Sequence, residues 1–473
     1  MLVPYCTHIL TRNVNDEWVD NCHPPGLLVS CRRDNICIAL SSCNVNNTPP
    51  FDSRVDLPKE ILSYIFELVC APTETDDPPN NCPRITLASV SSHWHEVVWT
   101  TPQLWRTYSA RHPLKRMVSS LQMFADNHRA PSSIYLTFHF LGEEGIEALL
   151  QAFETVLLQD AASHIRQIVL TNLPPEYMTI IKVINERCFN IKKLYISKCR
   201  LSYDLSSWSY FLTTQFPSCW STLTNLGLKG FPLDICFDSL FGCPQLIRLA
   251  WEVPTRPING LTRPQHRQAQ VTSFPHLEYL SLSFDSPRDW IPWFDSFVQF
   301  YQFPGLRELH WLISFHFHHQ SPELLNRFLS TLPRCCDTLR LSIHIYYPYV
   351  TLKKWMKSAL LHVGEIKNLI VSDDNPTSFL LMMQLFRDPA FFPSLTHFKY
   401  CCSMKDCVEN EVIINSIYEA LKGRKETSVK SFSLQVPLWE FPYWAAQRVE
   451  LSRLMDDASF KLEIIRGCEK LDL

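Results

Sequence analysis

The chain has 473 residues, 46% of them hydrophobic and 12% aromatic, which excludes a disordered chain and exceeds what one compact core normally organises. Its formal net charge of -3, from 44 basic and 47 acidic residues, gives no field for nucleic acid or for an acidic membrane surface. Only 11 glycines stand against 33 prolines, which argues against phosphate-cradling loops and for a regular structure punctuated by proline.

Met1 to Leu10 has neither the basic start nor the apolar core of a signal peptide, and no window is apolar for long enough to span a membrane. The 18 cysteines are therefore expected to be reduced thiols serving as small hydrophobes, in a cytoplasmic and/or nuclear setting. Residues 1–53 show no clear period and are expected to be irregular or disordered. Cys22, His23 and Cys31 lie there without the paired spacing of a zinc site.

At Asp56 the pattern changes. Asp56-Leu57-Pro58 sets a helix start, and Ile61, Leu62, Ile65, Phe66 and Val69 follow at amphipathic spacing. A polar, proline-rich stretch from Pro72 to Pro83 interrupts. A second helical run then carries Leu87, Val90, Trp94, Val97 and Val98, and the segment ends Thr101-Pro102-Gln103-Leu104-Trp105.

These pieces, D-L-P-K-E-I-L-S-Y-I-F, L-A-S-V-S-S-H-W-H-E-V-V and T-P-Q-L-W, resemble in order the F-box of large fungal families. Ser91 replaces the usual cysteine of the second piece, and the resemblance covers about fifty residues, taken as 54–108. It implies docking on the Skp-type adaptor of cullin–RING ubiquitin ligases. Carried over by position, the contacts would be Leu57, Pro58, Ile61, Leu62, Ile65, Val90, Trp94 and Trp105, shared in an undecided way between the partner and the module's own core. The paired helical segment that often precedes an F-box in such families has no counterpart here.

Residues 109–132 are expected to form a helical connector, with Met117 to Phe124 as its helix. Beyond it a pattern of apolar residues at offsets 0, +3 and +5 can be laid down from Ile165, Ile191, Leu223, Leu246, Leu277, Leu306, Cys336, Ile366, Leu395 and Val429. The spacing averages about 29 residues, the long end of the leucine-rich-repeat range. Four units share a proline lead-in, as in Phe274-Pro275-His276-Leu277. Only seven of the thirty residues at the interleaved offsets +2, +4 and +6 are apolar, against about fourteen expected by chance. Such depletion marks strands with one buried and one solvated face.

The fold expected is thus α/β: a small all-α F-box module, then a leucine-rich-repeat solenoid over residues 133–443. Parallel strands would line the concave face, with helices or irregular segments on the convex one. Ser133 to Phe140 is a candidate first strand, and residues 444–473 are expected to cap the array with a helix from Trp444 to Ile465. Outward-facing positions offer target-binding side chains: Tyr195, Lys229, Arg248, Tyr279, His310, Arg340 and Lys399 first, with Lys193, Glu252, Glu308 and His397 beside them.

His316 and His318 alternate on one stretch, but no Cys, Asp or Glu lies beside them to complete a metal site. Cys401, Cys402 and Cys407 lack a second pair, and no nucleophile-elbow, phosphate-loop, dinucleotide or zinc-protease motif occurs. The chain is therefore expected to be no enzyme and to need no cofactor or metal. Its expected partners are the Skp-type adaptor, a cullin reached through it, and an unidentified protein target, with no nucleic acid or membrane. A ligase-independent scaffold is the alternative.

Overall fold

The computed structural model describes residues 8–12, 18–22, 27–30, 37–40, 57–70, 83–110, 114–127, 133–140, 160–173, 188–198, 218–254, 271–284, 301–313, 322–343, 365–373, 376–402, 410–424, 429–436, 461–466 and 469–471, with a few single positions between them. Asp56, His316, His318 and Cys407 lie outside these residues. The chain divides into two compact units, Met1–Leu104 and Trp105–Leu473. No helix of the described residues is long and apolar enough to cross a membrane.

The first unit begins with two antiparallel strand pairs, which corrects the irregular or disordered segment expected over residues 1–53; strands of four or five residues are too short to show a period. They pair β1 (His8–Arg12) with β2 (Trp18–Cys22), and β3 (Leu27–Ser30) with β4 (Cys37–Leu40). Three helices follow: α1 (Lys59–Cys70), α2 (Pro83–Ala88) and α3 (Ser92–Thr100). The Pro58 carbonyl accepts from the Ile61 and Leu62 amides at 3.1 Å each, so the helix starts where proline's missing N–H costs nothing. Ser91 caps α3 by accepting the Trp94 amide at 3.1 Å. Leu62, Phe66, Val97 and Val98 are the buried apolar side chains of α1 and α3, and the Phe66 and Trp94 rings meet at 4.9 Å. The Ser63 and Thr101 hydroxyls are hydrogen-bonded at 3.0 Å, and Thr101 also donates to the Val97 carbonyl at 2.6 Å, tying α1 to the end of α3.

The second unit is built on one fourteen-stranded sheet. In spatial order it holds β5 (Thr107–Ala110), β6 (Ile134–His139), β7 (Ile165–Leu173), β8 (Lys193–Lys198), β9 (Asn225–Lys229) and β10 (Arg248–Glu252). The short pair β11 (Thr272–Ser273) and β13 (Tyr301–Gln302) stands apart from it. The sheet resumes with β12 (Tyr279–Phe284), β14 (Glu308–Ile313), β15 (Thr338–Ile343), β16 (Asn368–Asp373), β17 (His397–Cys402) and β18 (Ser431–Val436). It ends with β19 (Lys461–Arg466) and β20 (Glu469–Leu471). Every neighbouring pair runs parallel except the last, β19 with β20. This is the parallel-strand architecture of a leucine-rich-repeat solenoid.

Each of the ten sequence anchors opens one strand of this sheet or lies two residues before one. The register keeps equal offsets level: Lys193, Asn225, Arg248, Tyr279, Glu308, Thr338, Asn368, His397 and Ser431 form one row across nine strands. All thirty residues at offsets 0, +3 and +5 are buried. The +5 row turns aromatic at Trp251, Trp311 and Tyr400, which meet Phe237 at 5.3 Å, Phe328 at 5.8 Å and Phe379 at 4.9 Å.

At offset +1 a second ladder holds the coils. From Lys192 to Thr396 each carbonyl accepts the +1 and +2 amides of the next repeat; Lys192 takes Thr224 and Asn225 at 2.9 and 3.0 Å, and Thr396 takes Lys430 and Ser431 at 2.7 and 3.1 Å. This main-chain ladder satisfies the turn before each strand without a recurring asparagine side chain.

Helices Leu233–Gly242, Pro322–Ser330, Pro376–Arg387 and Asn410–Arg424 occupy four of the connections. Buried Arg424 ends the last of them and donates to the carbonyls of Phe386, Asp388, Phe391 and Phe392, holding the turn that follows the preceding helix. Burial lowers its pKa to about 10, still well above neutrality.

Two further expectations change. The tail helix drawn from Trp444 to Ile465 is wrong at its end, because Lys461–Arg466 is a strand pairing β18 in register, with Leu434 beside Ile464. Leu462 and Ile464 alternate there, and β-branched Ile464 and Ile465 favour the pleat; residues 444–460 lie outside the described set. The connector helix α4 (Leu114–Asn127) is longer than Met117 to Phe124, and a strand, β5, precedes it.

Candidate functional site

The described residues present two candidate surfaces, one on each unit. On the first, α1 is apolar over far more than the stripe it buries. Leu62 and Phe66 face inward, while Ile61, Tyr64, Ile65, Leu68 and Val69 are exposed. At 100° per residue these five form a continuous arc about 140° wide, with Glu60, Ser63 and Glu67 on the opposite side. Leu57, just before the helix, and Ile85 on α2 are exposed too. Seven of the eleven large hydrophobic side chains exposed among the described residues thus come from this small module, which makes it the candidate for a docking face.

The expected contacts divide on this geometry. Leu57, Pro58, Ile61 and Ile65 are exposed, and Val90 and Trp94 are half-buried. Leu62 and Trp105 are not available as surface contacts, being only 2% and 1% exposed. Leu62 lies on the inward side of α1, and Trp105 packs in the second unit with Phe124 at 6.4 Å. Tyr64, Leu68 and Ile85 went unnoticed in sequence, and Val69 was read only as part of the amphipathic stripe, although the adjacent apolar pairs Ile61-Leu62, Tyr64-Ile65 and Leu68-Val69 signal an arc wider than one buried stripe.

The second surface is the sheet face carrying offsets +2, +4 and +6. Tyr195, Lys229, Arg248 and Tyr279 come together on neighbouring strands. The Tyr195 hydroxyl donates to Glu252 at 3.3 Å, Lys229 pairs with the same carboxylate at 3.2 Å, and the Arg248 guanidinium lies 4.1 Å from the centre of the Tyr279 ring. Desolvation raises the Tyr279 pKa, keeping its phenol neutral. His310, on the next strand, is hydrogen-bonded by Nε2 to the Ser342 hydroxyl at 2.8 Å and by Nδ1 to Ser281 at 3.1 Å. Arg340 pairs with Glu308 at 3.0 Å. Lys399 is level with Arg340 but two strands further on.

Between Tyr195 and Tyr279 the face sinks into a hollow of about 220 Å³, lined also by Gln167, Val169, Lys193, Asn225, Gly227, Arg248 and Ala250. Sequence reasoning missed Asn225, Gly227 and Ala250. The available signal is that two adjacent repeats carry their smallest residues at the same offset, +4.

A helical module with an open apolar face is thus joined in sequence to a parallel repeat sheet whose outer face is largely polar. A family model described as F-box-like matches residues 55–111, so the chain carries an F-box-like domain there. No curated protein matches the chain.

Proposed function

We propose that the chain is a substrate-recruiting subunit of a Skp–cullin–F-box ubiquitin ligase. The observation that carries this reading is the coincidence of the F-box-like match at residues 55–111 with the exposed arc on α1. In this reading Leu57, Pro58, Ile61 and Ile65, with Tyr64, Leu68 and Val69 beside them, dock on the Skp-type adaptor, and a cullin is reached through it. The parallel repeat sheet binds a protein target by its polar face, with Tyr195, Arg248 and Tyr279 as anchors and Lys229, His310, Arg340 and Lys399 around them. The chain supplies proximity rather than chemistry, raising the concentration of the target near the ubiquitin-charged enzyme. Its working place is then the cytoplasm or the nucleus.

Affinity purification of the intact chain beside a Leu57→Ala, Pro58→Ala variant tests this. The native chain is expected to recover the Skp-type adaptor and a cullin, and the variant to lose both. Recovery of the adaptor without a cullin points instead to a ligase-independent scaffold. Recovery of neither by the native chain sinks both.

A further inference from the structure

The hollow on the sheet face is bordered by side-chain donors that meet no acceptor among the described residues. Its floor is Gly227 and Ala250, directly paired on β9 and β10. Its walls are aromatic. The Tyr195 ring lies across Gly227 so closely that a Cβ there would stand 2.3 Å from Cδ2, and its hydroxyl is held by Glu252. Tyr279 on the other side is covered by Arg248.

Along the rim run Lys193, Asn225 and Arg248, level with one another on three adjacent strands. Asn225 uses its carbonyl oxygen to accept the Thr224 hydroxyl at 3.0 Å, which leaves its amide N–H groups facing no acceptor among the described residues. Lys193 and Arg248 are exposed, and neither has a carboxylate partner among the described residues, whereas neighbouring Lys229 is matched by Glu252. The wider face has the same bias. Its thirty outward positions hold five cations (Lys193, Lys229, Arg248, Arg340, Lys399) and two carboxylates (Glu252, Glu308), a balance of three positive charges on a chain whose net charge is -3. Such a rim calls for a group that only accepts hydrogen bonds and carries negative charge. The small apolar floor and aromatic walls suit a short stem of one or two methylenes.

We propose that this hollow is the recognition pocket for an acidic side chain, Asp or Glu, carried by an extended segment of the protein target. The proposal rests on the reading of the sheet as the target-binding face. In it, the carboxylate bridges Lys193 and Arg248 across Asn225, and its methylenes rest on Gly227 and Ala250 beside the tyrosine rings. Lys229 and Glu252 neutralise each other and hold Tyr195 in place.

The test is selection of a displayed library of random dodecamer peptides on the intact chain, at physiological salt, in parallel with a Lys193→Glu, Arg248→Glu chain. Asp and Glu should be enriched on the native chain and not on the variant. The best peptide should bind the variant at least about tenfold more weakly. Ala250→Leu fills the hollow without changing charge and should weaken the same peptide. Melting curves of all three chains report folding, and the charge reversals fall on exposed side chains.

Enrichment of Lys and Arg, enrichment of no residue type, or equal selection of acidic peptides by both chains overturns the proposal. So does a best peptide that binds at least about tenfold tighter when phosphoserine replaces its Asp or Glu, since phosphate is then the ligand. Recovery of the Skp-type adaptor, followed on the same preparations, separates the two readings. Adaptor retained without acidic selection removes the pocket alone, and acidic selection without adaptor removes the ligase reading alone.

Discussion

Replacing Leu57, Ile61 and Leu68 together by glutamine separates binding from folding on the F-box-like module. These side chains are 41%, 49% and 54% exposed, so about half of each remains to be buried by a partner. Full burial of a leucine or isoleucine side chain contributes roughly 1.5–3 kcal/mol, which leaves about 1 kcal/mol for each and about 3 kcal/mol for the three. At about 1.4 kcal/mol per decade, affinity for the Skp-type adaptor should fall by roughly two orders of magnitude.

The same exposure means that the fold loses little, and glutamine is nearly as good a helix former as leucine. Calorimetric titration of the purified adaptor with native and variant chains measures the first effect, and thermal melting the second. Leu62→Ala is the contrasting control: on the inward side of the same helix, it should cost about 2–5 kcal/mol of stability. If the triple variant binds the adaptor within about threefold of the native chain, the exposed arc is not the docking face. If it melts much lower, the arc is supporting the fold and the division of α1 into inner and outer sides is mistaken.

Arg424→Met keeps the bulk of the side chain but removes the guanidinium donor from four main-chain carbonyls, of which Asp388 and Phe392 keep a main-chain amide, and should cost about 3 kcal/mol, with Arg424→Lys recovering only part. An unchanged urea midpoint for the methionine variant contradicts this. Trp311→Ala empties the aromatic layer shared with Phe328 and should cost about 3–5 kcal/mol in the same assay. A loss below about 1 kcal/mol shows that the layer collapses to fill the space. Burial pushes the Cys336 thiol up to about 12, so above the ordinary cysteine range the unfolded chain releases a proton that the folded chain keeps. The unfolded state then binds fewer protons, and stability falls with rising pH by up to about 1.4 kcal/mol per unit from this thiol. Between about pH 9 and pH 10 the native chain should lose about 1 kcal/mol more than Cys336→Val, and parallel pH slopes refute the assignment.

The repeats were legible because parallel in-register stacking makes sequence offset and spatial row the same thing. Once Leu277 and Leu306 are taken as equivalent, Tyr279 must stand beside Glu308 and Ser281 beside His310, as they do. The pattern failed at the two ends of the sheet. Thr107–Ala110 offers four positions, and Lys461 to Arg466 carries Leu462 and Ile465 at a spacing that also suits a helix, so the longer apolar run before it was extended through the strand.

The binding surfaces were less legible, for a physical reason that differs between the units. On α1 the apolar residues cover more than half of the helix circumference, and periodicity measures where they lie without measuring which are covered. Burial of Leu62 and Phe66 is decided by α3, whose contacts are set by Trp94 and Val97 some thirty residues away. On the repeat sheet each strand contributes one or two side chains to a site, so a pocket is a column of residues far apart in sequence. Lys193, Asn225 and Arg248 carry no local signature and become a set only through the register. Register also explains why the hollow lies where it does. A glycine at +4 alone would be filled by the ring of Tyr195, which already leans over Gly227; Ala250 at the same offset on the next strand adds floor beyond that ring. Two consecutive small residues at an outward offset, flanked by cations with no carboxylate partner among the described residues, therefore say more about what a repeat face binds than any single conspicuous side chain on it.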